Sequence, residues 1–458
     1  MKPASLLLFC SVAAFSLSSP SQAQLPDGSA IQLTRNTAGN SVQVMVTDPG
    51  DHVWVLQSSS NLATWSDVVT LKVHNGYLTR SMSLQPADKQ LFYRTSYSAS
   101  QQSLLSSSVA TGLLLPASPD NYANPTLPAS FFVNPILAQD NTPANNATSD
   151  LGAKLGRVLF YDKRLSFNQT IACASCHLQQ HGFADSRAFS TGFAGGLTGR
   201  NSMGLANARW YQRRSFFWDE RAATLEDQVL MPIQNAVEMG MTLPALVTRL
   251  GAEPFYTELF NATFGTPEVT SGRISQALAQ FVRSIISTQT KYDLGVAATP
   301  QFSNFTAQEN QGRQIFNAPG GCSACHGTDN FVPGGGPANN NGLEFPYVDT
   351  GIGGITGQQG DMGKFKVGSL RNIELTAPYM HDGRFATLEA VVDFYSTGVV
   401  DNPNLSPPLR LNPQQGGGVR RPNFTTAEKA ALVAFLKTLT DTSLPTATKF
   451  SDPFNYGN

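Results

Sequence analysis

Two pentapeptides hold the residues best suited to chemistry, Cys173-Ala174-Ser175-Cys176-His177 and Cys322-Ser323-Ala324-Cys325-His326. In each, two thiols can form thioethers to the vinyl groups of one haem, and the following histidine is placed to ligate its iron. A zinc ribbon needs its cysteine pairs roughly 15–20 residues apart. Here they lie near residues 175 and 324. A thioredoxin-like site has no use for a trailing histidine in both copies. Structural disulfides usually join positions separated by more than two residues. The motifs therefore predict two covalently bound haem c groups, one on Cys173, Cys176 and His177, the other on Cys322, Cys325 and His326. A chain of this kind is read as a di-haem c-type cytochrome.

The ligand opposite each histidine decides between electron transfer and reaction with peroxide. Outside the two motifs, the haem-bearing part of the chain contains only His181 and His381. His181 follows His177 by four residues. On a short helix that spacing keeps both on one side of the haem, so His181 is read as a supporting or surface residue rather than a ligand.

Elements that could position these groups are legible from periodicity and caps. Ser149 or Asp150 can cap a helix whose apolar face is Leu151, Leu155, Val158 and Leu159. Ile274, Leu278, Phe281 and Ile285 mark another. Thr306-x-x-Glu309 and Thr425-x-x-Glu428 are capping-box patterns, the latter opening a helix with Leu432, Phe435, Leu436 and Leu439 on one face. Helix, motif, loops and closing helix thus occur twice. The expected fold is mainly α, with two cytochrome c-like domains at 131–300 and 301–445. Residues 30–98 follow a different pattern. Val42, Val44 and Val46 alternate with other residues, and Pro49-Gly50 and Pro86-Ala87-Asp88 punctuate β-branched runs. They predict a small all-β module, a sandwich loosely resembling fibronectin-like modules, in which His52 and His74 are ordinary strand residues. Serine runs and Pro116, Pro119, Pro125 and Pro128 mark 99–130 as a linker.

Lys2, the apolar stretch Leu6–Leu17 and Ser21-Gln22-Ala23 read as a secretory leader over 1–23, which would remove Cys10. Haem attachment outside the cytoplasm agrees with that, and a periplasmic or secreted protein is expected. No later segment has the ~18 apolar residues of a membrane span. With 31 basic and 32 acidic residues the net charge is −1, which points neither to nucleic acid nor to an anionic membrane. Thirty-nine glycines and 28 prolines argue for a loop-rich fold.

Residues 145–445 also resemble the bacterial di-haem cytochrome c peroxidase and MauG family. The stretches that carry the likeness are Leu155-Gly156-Arg157-Val158-Leu159-Phe160, Phe217-Trp218-Asp219-Glu220-Arg221-Ala222, Val237-Glu238-Met239-Gly240-Met241, Leu370-Arg371-Asn372 and Thr376-Ala377-Pro378-Tyr379-Met380-His381-Asp382-Gly383. The resemblance implies that Trp218 lies between the haems, and that Gln228 and Glu238 stand over the N-terminal, peroxidatic haem. A carboxylate there can move a proton between the two oxygens of a peroxide. It implies a calcium ion between the haems, held by Asn201, Thr376 and Pro378, all oxygen donors. Tyr395 occupies the place where peroxidases of the family carry a methionine ligand to the C-terminal, electron-transfer haem and MauG-like members a tyrosine. Met380 is the alternative ligand, and Tyr395 could instead pack with Leu388, Val391 and Val392. The loop Phe183–Arg200 has no histidine to block the first haem. Phe193 stands nearest that position, so an open iron is expected. Glu220 replaces a glycine usual in the family.

The leading expectation is a peroxidase that reduces hydrogen peroxide with electrons from a small cytochrome c or a cupredoxin. One alternative is a MauG-like enzyme that oxidises residues of a partner protein. Another is a non-enzymatic di-haem electron carrier. The resemblance also implies that a homodimer can form.

Overall fold

The computed structural model describes residues 112–455 except 117–119, 212, 214, 335 and 413–416, together with the backbone of seven strands before them. The predicted leader cleavage site and most of the expected linker lie outside the described residues. The chain divides into two compact units, one made of Met1–Thr111 with Leu115–Asn121, the other of Gly112–Leu114 with Tyr122–Asn458.

In the first unit, β1 (Ala4–Cys10), β4 (His52–Ser59), β5 (Ser66–Val73) and β7 (Leu91–Ala99) form a sheet in the order β1-β7-β4-β5. A second sheet has the order β2-β3-β6, from Ala30–Arg35, Ser41–Asp48 and Gly76–Ser83. All pairings are antiparallel. β1 falls within the stretch read as a leader.

The second unit is mainly helical. Its helices are α1 (Asp150–Tyr161), α2 (Leu243–Gly251), α3 (Pro254–Phe264), α4 (Ser271–Ser284), α5 (Lys291–Ala297), α6 (Ala307–Phe316), α7 (Leu388–Asp393) and α8 (Thr426–Lys437), with short helical turns between them. Ser149 caps α1 by accepting from Gly152 N. Thr306 with Glu309 and Thr425 with Glu428 form reciprocal capping boxes, which satisfies backbone donors that a helix start otherwise leaves unpaired.

One arrangement is used twice. Gly156 on α1 faces the Ala277 carbonyl and Phe281 of α4, and Gly312 on α6 faces the Ala431 carbonyl and Phe435 of α8. At either glycine a Cβ would collide with the facing carbonyl oxygen. Only hydrogen lets the two helices of each pair approach so closely. Leu155, Val158, Leu159, Leu278 and Phe281 are buried around the first crossing, and Leu432, Phe435 and Phe316 around the second. Each crossing backs a chain segment that enters a Cys-x-x-Cys-His motif. The C-terminal residues then strap the first half: Arg157 Nε donates to Ser451 O at 2.6 Å, and the Tyr161 hydroxyl to Phe450 O at 2.7 Å.

Candidate active site

Each Cys-x-x-Cys-His motif begins with a 3-10 turn, Cys173–Ser175 and Cys322–Ala324. The histidine amide closes onto the first cysteine carbonyl, His177 N to Cys173 O at 2.9 Å and His326 N to Cys322 O at 3.0 Å. His177 Nδ1 then lies 2.9 Å from Phe183 O, and His326 Nδ1 2.8 Å from Phe331 O. A carbonyl can only accept, so Nδ1 carries the proton and Nε2 keeps its lone pair for a metal. Both phenylalanines have positive φ, 62° and 55°, a backbone turn that directs the carbonyl back to the ring. Burial also pushes both imidazoles towards the neutral form.

The four thiols are unpaired. His177 lines a cavity of about 570 Å³ and, with Cys173 and Cys176, an adjoining one of about 70 Å³. Cys322, Cys325 and His326 line another of about 350 Å³. Two free thiols and a directed imidazole on each concave, largely apolar wall are the donor set that a covalently attached haem requires. The residues present fit two such groups.

The first cavity is also lined by Gln228, Glu238, Trp218, Asn201, Thr376 and Pro378, which sequence separates widely. Gln228 ends the helical turn Leu225–Gln228. Glu238 sits in the turn after Met231–Gln234, where its N–H donates to Asn235 Oδ1 at 3.1 Å. It is half-buried rather than solvated, and burial raises its carboxyl pKa while the Arg221 guanidinium opposes the rise. Arg221 itself was not singled out in the sequence. It stacks 3.6 Å from the Phe217 ring centre and pairs with Asp219 at 2.9 Å.

Trp218 lines the second cavity as well as the first. Its indole N–H donates to Asn201 O at 2.8 Å, and its carbonyl accepts Lys366 N at 2.8 Å. Asn201 donates its side-chain N–H to Arg187 O at 2.9 Å, which leaves its Oδ1 as the atom for a cation. Thr376 and Pro378 line the same cavity, and three such oxygen donors would hold a hard cation only with water completing the shell.

Phe193 does not line either cavity of His177. Its ring packs on Gly240 and on Phe167, and its N–H donates to Glu238 O at 2.9 Å. His181 belongs to a separate 3-10 turn, Gln179–His181. The helical spacing expected between His177 and His181 is therefore absent, because the chain is broken between the two turns. His381 lines the second cavity, stacked on Phe365 at 3.9 Å, with Nε2 3.8 Å from Asp349.

Both candidate ligands opposite His326 line its cavity. Tyr395 lies in a π-helical turn, Phe394–Gly398, that continues α7. Asn341, which carried no signal in the sequence, stands between them: its Nδ2 lies 3.3 Å from the Tyr395 hydroxyl and 3.5 Å from Met380 Sδ. Burial pushes the Tyr395 phenol up to about 12, against the Asn341 hydrogen bond. A phenolate at this place thus needs a positive partner.

The di-haem cytochrome c peroxidase family model matches residues 151–299. The MauG protein of methylamine utilization from Methylorubrum extorquens is 34% identical over 303 residues, 65% of this chain and 80% of that protein. The cytochrome c551 peroxidase of Nitrosomonas europaea is 34% identical over 312 residues, 67% of this chain and 84% of its own length. The chain belongs to the di-haem cytochrome c peroxidase and MauG family. It is an oxidoreductase of that type, and the family implies haem c. The crystal structure of a MauG-like protein associated with microbial copper homeostasis is similar over 70% of this chain and 98% of its own, at 36% identity and a TM-score of 0.61. The di-haem peroxidase BthA from Burkholderia thailandensis shares the fold, with 24% identity and a TM-score of 0.55 over 68% of this chain and 92% of its own. Among the described residues no helix is long and apolar enough to cross a membrane.

Proposed function

We propose that this family member reacts with hydrogen peroxide in the cavity of His177, with Glu238 and Gln228 acting on the bound peroxide. The observation that carries this reading is the gathering of an amide and a half-buried carboxylate on the wall shared with His177. The haem groups, when bound, supply the electrons and the metal site for O–O cleavage. Glu238 takes the proton from the inner peroxide oxygen and delivers it to the outer one, which leaves as water. Such proton transfers contribute roughly 10²–10⁴-fold. Burial favours the protonated carboxyl, which suits the delivery half of that cycle. The Gln228 amide orients the peroxide. Trp218, on the wall of both cavities, carries oxidising equivalents between them. Cys173, Cys176, Cys322 and Cys325 attach the haems, and His177, His326 and Tyr395 ligate them. Asn201, Thr376 and Pro378 hold a calcium ion between the halves.

The electron donor is a small cytochrome c or a cupredoxin, and the enzyme works in the periplasm or outside the cell, behind a cleaved leader. Residues 30–98 form a fibronectin-like attachment joined by a linker to domains 131–300 and 301–445. The MauG-like alternative, in which the equivalents oxidise a partner protein, is favoured by Tyr395: a phenol oxygen among the residues that would hold the second haem would be a hard donor, of the kind that favours higher iron states.

The test adds stoichiometric peroxide to the as-isolated diferric holoprotein and follows optical and electron paramagnetic resonance spectra. Immediate loss of a high-spin signal supports an open, peroxide-reactive site. No response until one haem has been reduced would show that a ligand blocks the His177 side and would sink the open-site reading.

A further inference from the structure

Glu220 stands where the family resemblance leads one to expect glycine, and its φ of 56° lies in the left-handed region that glycine adopts at little steric cost. Its carboxylate holds the glutamate in place. Oε1 accepts the Tyr211 hydroxyl at 2.5 Å, and Arg213 Nε donates to Oε1 and Oε2 at 2.9 and 2.7 Å. The Glu220 side chain is 4% exposed and the Arg213 side chain 41%. Tyr211 is also 4% exposed. Lys366 sets its Nζ 3.7 Å from the centre of the Tyr211 ring and donates to Ser215 O at 3.2 Å. Tyr211, Trp218 and Lys366 line the cavity of His177, and the last two also line that of His326.

A hydroxyl that donates to a carboxylate makes a charge-assisted hydrogen bond, along which the phenol proton can pass. Taking an electron from a buried phenol that keeps its proton would leave a cation on a ring only 4% exposed, at a steep desolvation cost. Taking the electron and moving the proton to Glu220 together creates no new charge on the ring.

We propose that Tyr211 is a redox-active residue whose oxidation is coupled to proton transfer onto Glu220. The inference rests on the peroxidase reading. The Tyr211 O–H bond breaks and an O–H bond forms at Glu220 Oε1. One electron passes to the peroxide-oxidised haem pair, and a neutral phenoxyl radical remains. A one-electron reductant or partner restores the phenol as the proton returns from Glu220. Arg213 pairs with the Glu220 carboxylate at 2.7 Å, and its exposure places the pair next to solvent, where a partner can reach it.

The test uses holoprotein carrying ring-deuterated tyrosine, frozen after peroxide addition and examined by electron paramagnetic resonance. A radical signal that narrows on deuteration and is lost in Tyr211→Phe supports the proposal. Glu220→Gln keeps the phenol but removes the proton acceptor, and should lower the radical yield about tenfold or more. Haem absorbance per chain reports whether each variant has folded and loaded. A second arm withdraws the electron with photogenerated ruthenium(III) tris-bipyridine. If peroxide leaves the wild-type haem spectra unchanged even after one haem has been reduced, the peroxidase reading fails and this arm still decides on Tyr211. A tyrosine signal that survives in Tyr211→Phe, or none in the wild type under either oxidant, overturns the proposal.

Discussion

The two halves of the helical unit share a frame and differ in what faces the histidine. Gly156 against Ala277 and Gly312 against Ala431 repeat one helix crossing, and Phe183 O and Phe331 O repeat one anchor on Nδ1. The cavity of His177, however, is lined by Gln228 and Glu238, an amide and a carboxyl able to orient and move protons. The cavity of His326 is lined by Tyr395 and Met380, the two candidate ligands, with Asn341 in contact with both. One frame thus carries two different linings because the differing residues come from loops and turns, which can change without disturbing the crossing.

The comparison can be broken most forcefully at Glu238. Glu238→Gln should slow the peroxide reaction by about 10²–10⁴-fold, read by stopped-flow, and leave the potential of the second haem in place. A loss confined to that potential would reverse the assignment of the two cavities. Because burial raises the Glu238 carboxyl, its carboxylate is lost at a higher pH than an ordinary glutamate's. The wild-type rate should fall through that raised value as pH drops, and the fall should vanish in Glu238→Gln.

Tyr395→Met should raise the potential of the second haem by about 100 mV or more, within the ~0.8 V that axial ligands span. Spectroelectrochemistry reads it. An unchanged potential would hand the ligand role to Met380.

Gly156→Ala and Gly312→Ala test the shared frame. Each forces a methyl against a backbone carbonyl and should cost about 1–3 kcal/mol, seen as a lower denaturation midpoint in both. Loss in one alone would show that the crossings are not equivalent.

The smallest effect is expected at Asn341. Its N–H draws charge from the Tyr395 oxygen, so Asn341→Ala should lower the second potential, by about 20–60 mV for a hydrogen bond of ordinary strength. A rise instead would place the effect on Met380.

Much of the frame was legible in the chain. Ser149, Thr306-x-x-Glu309 and Thr425-x-x-Glu428 were readable because caps act over three or four residues, and the apolar faces of α1, α4 and α8 because helical period is local. Glu220 was visible as a departure, without an account. Its partners Tyr211, Arg213 and Lys366 meet only in the folded chain, and Asn341 stands in a polar run, Asn339-Asn340-Asn341, with nothing to separate one amide from its neighbours. The count from His177 to His181 assumed a helix where two 3-10 turns stand, although His181 lines neither cavity of His177, as expected of a supporting or surface residue.

By itself the sequence determined the two Cys-x-x-Cys-His motifs and the helices that flank them, since these depend on neighbours within one or two turns. Tertiary structure alone decided which carbonyl anchors each histidine, which carboxylate is half-buried, and that Trp218 borders both cavities. Those properties depend on burial and on contacts between residues far apart in the chain, and closing such loops leaves no periodic trace in the order of residues.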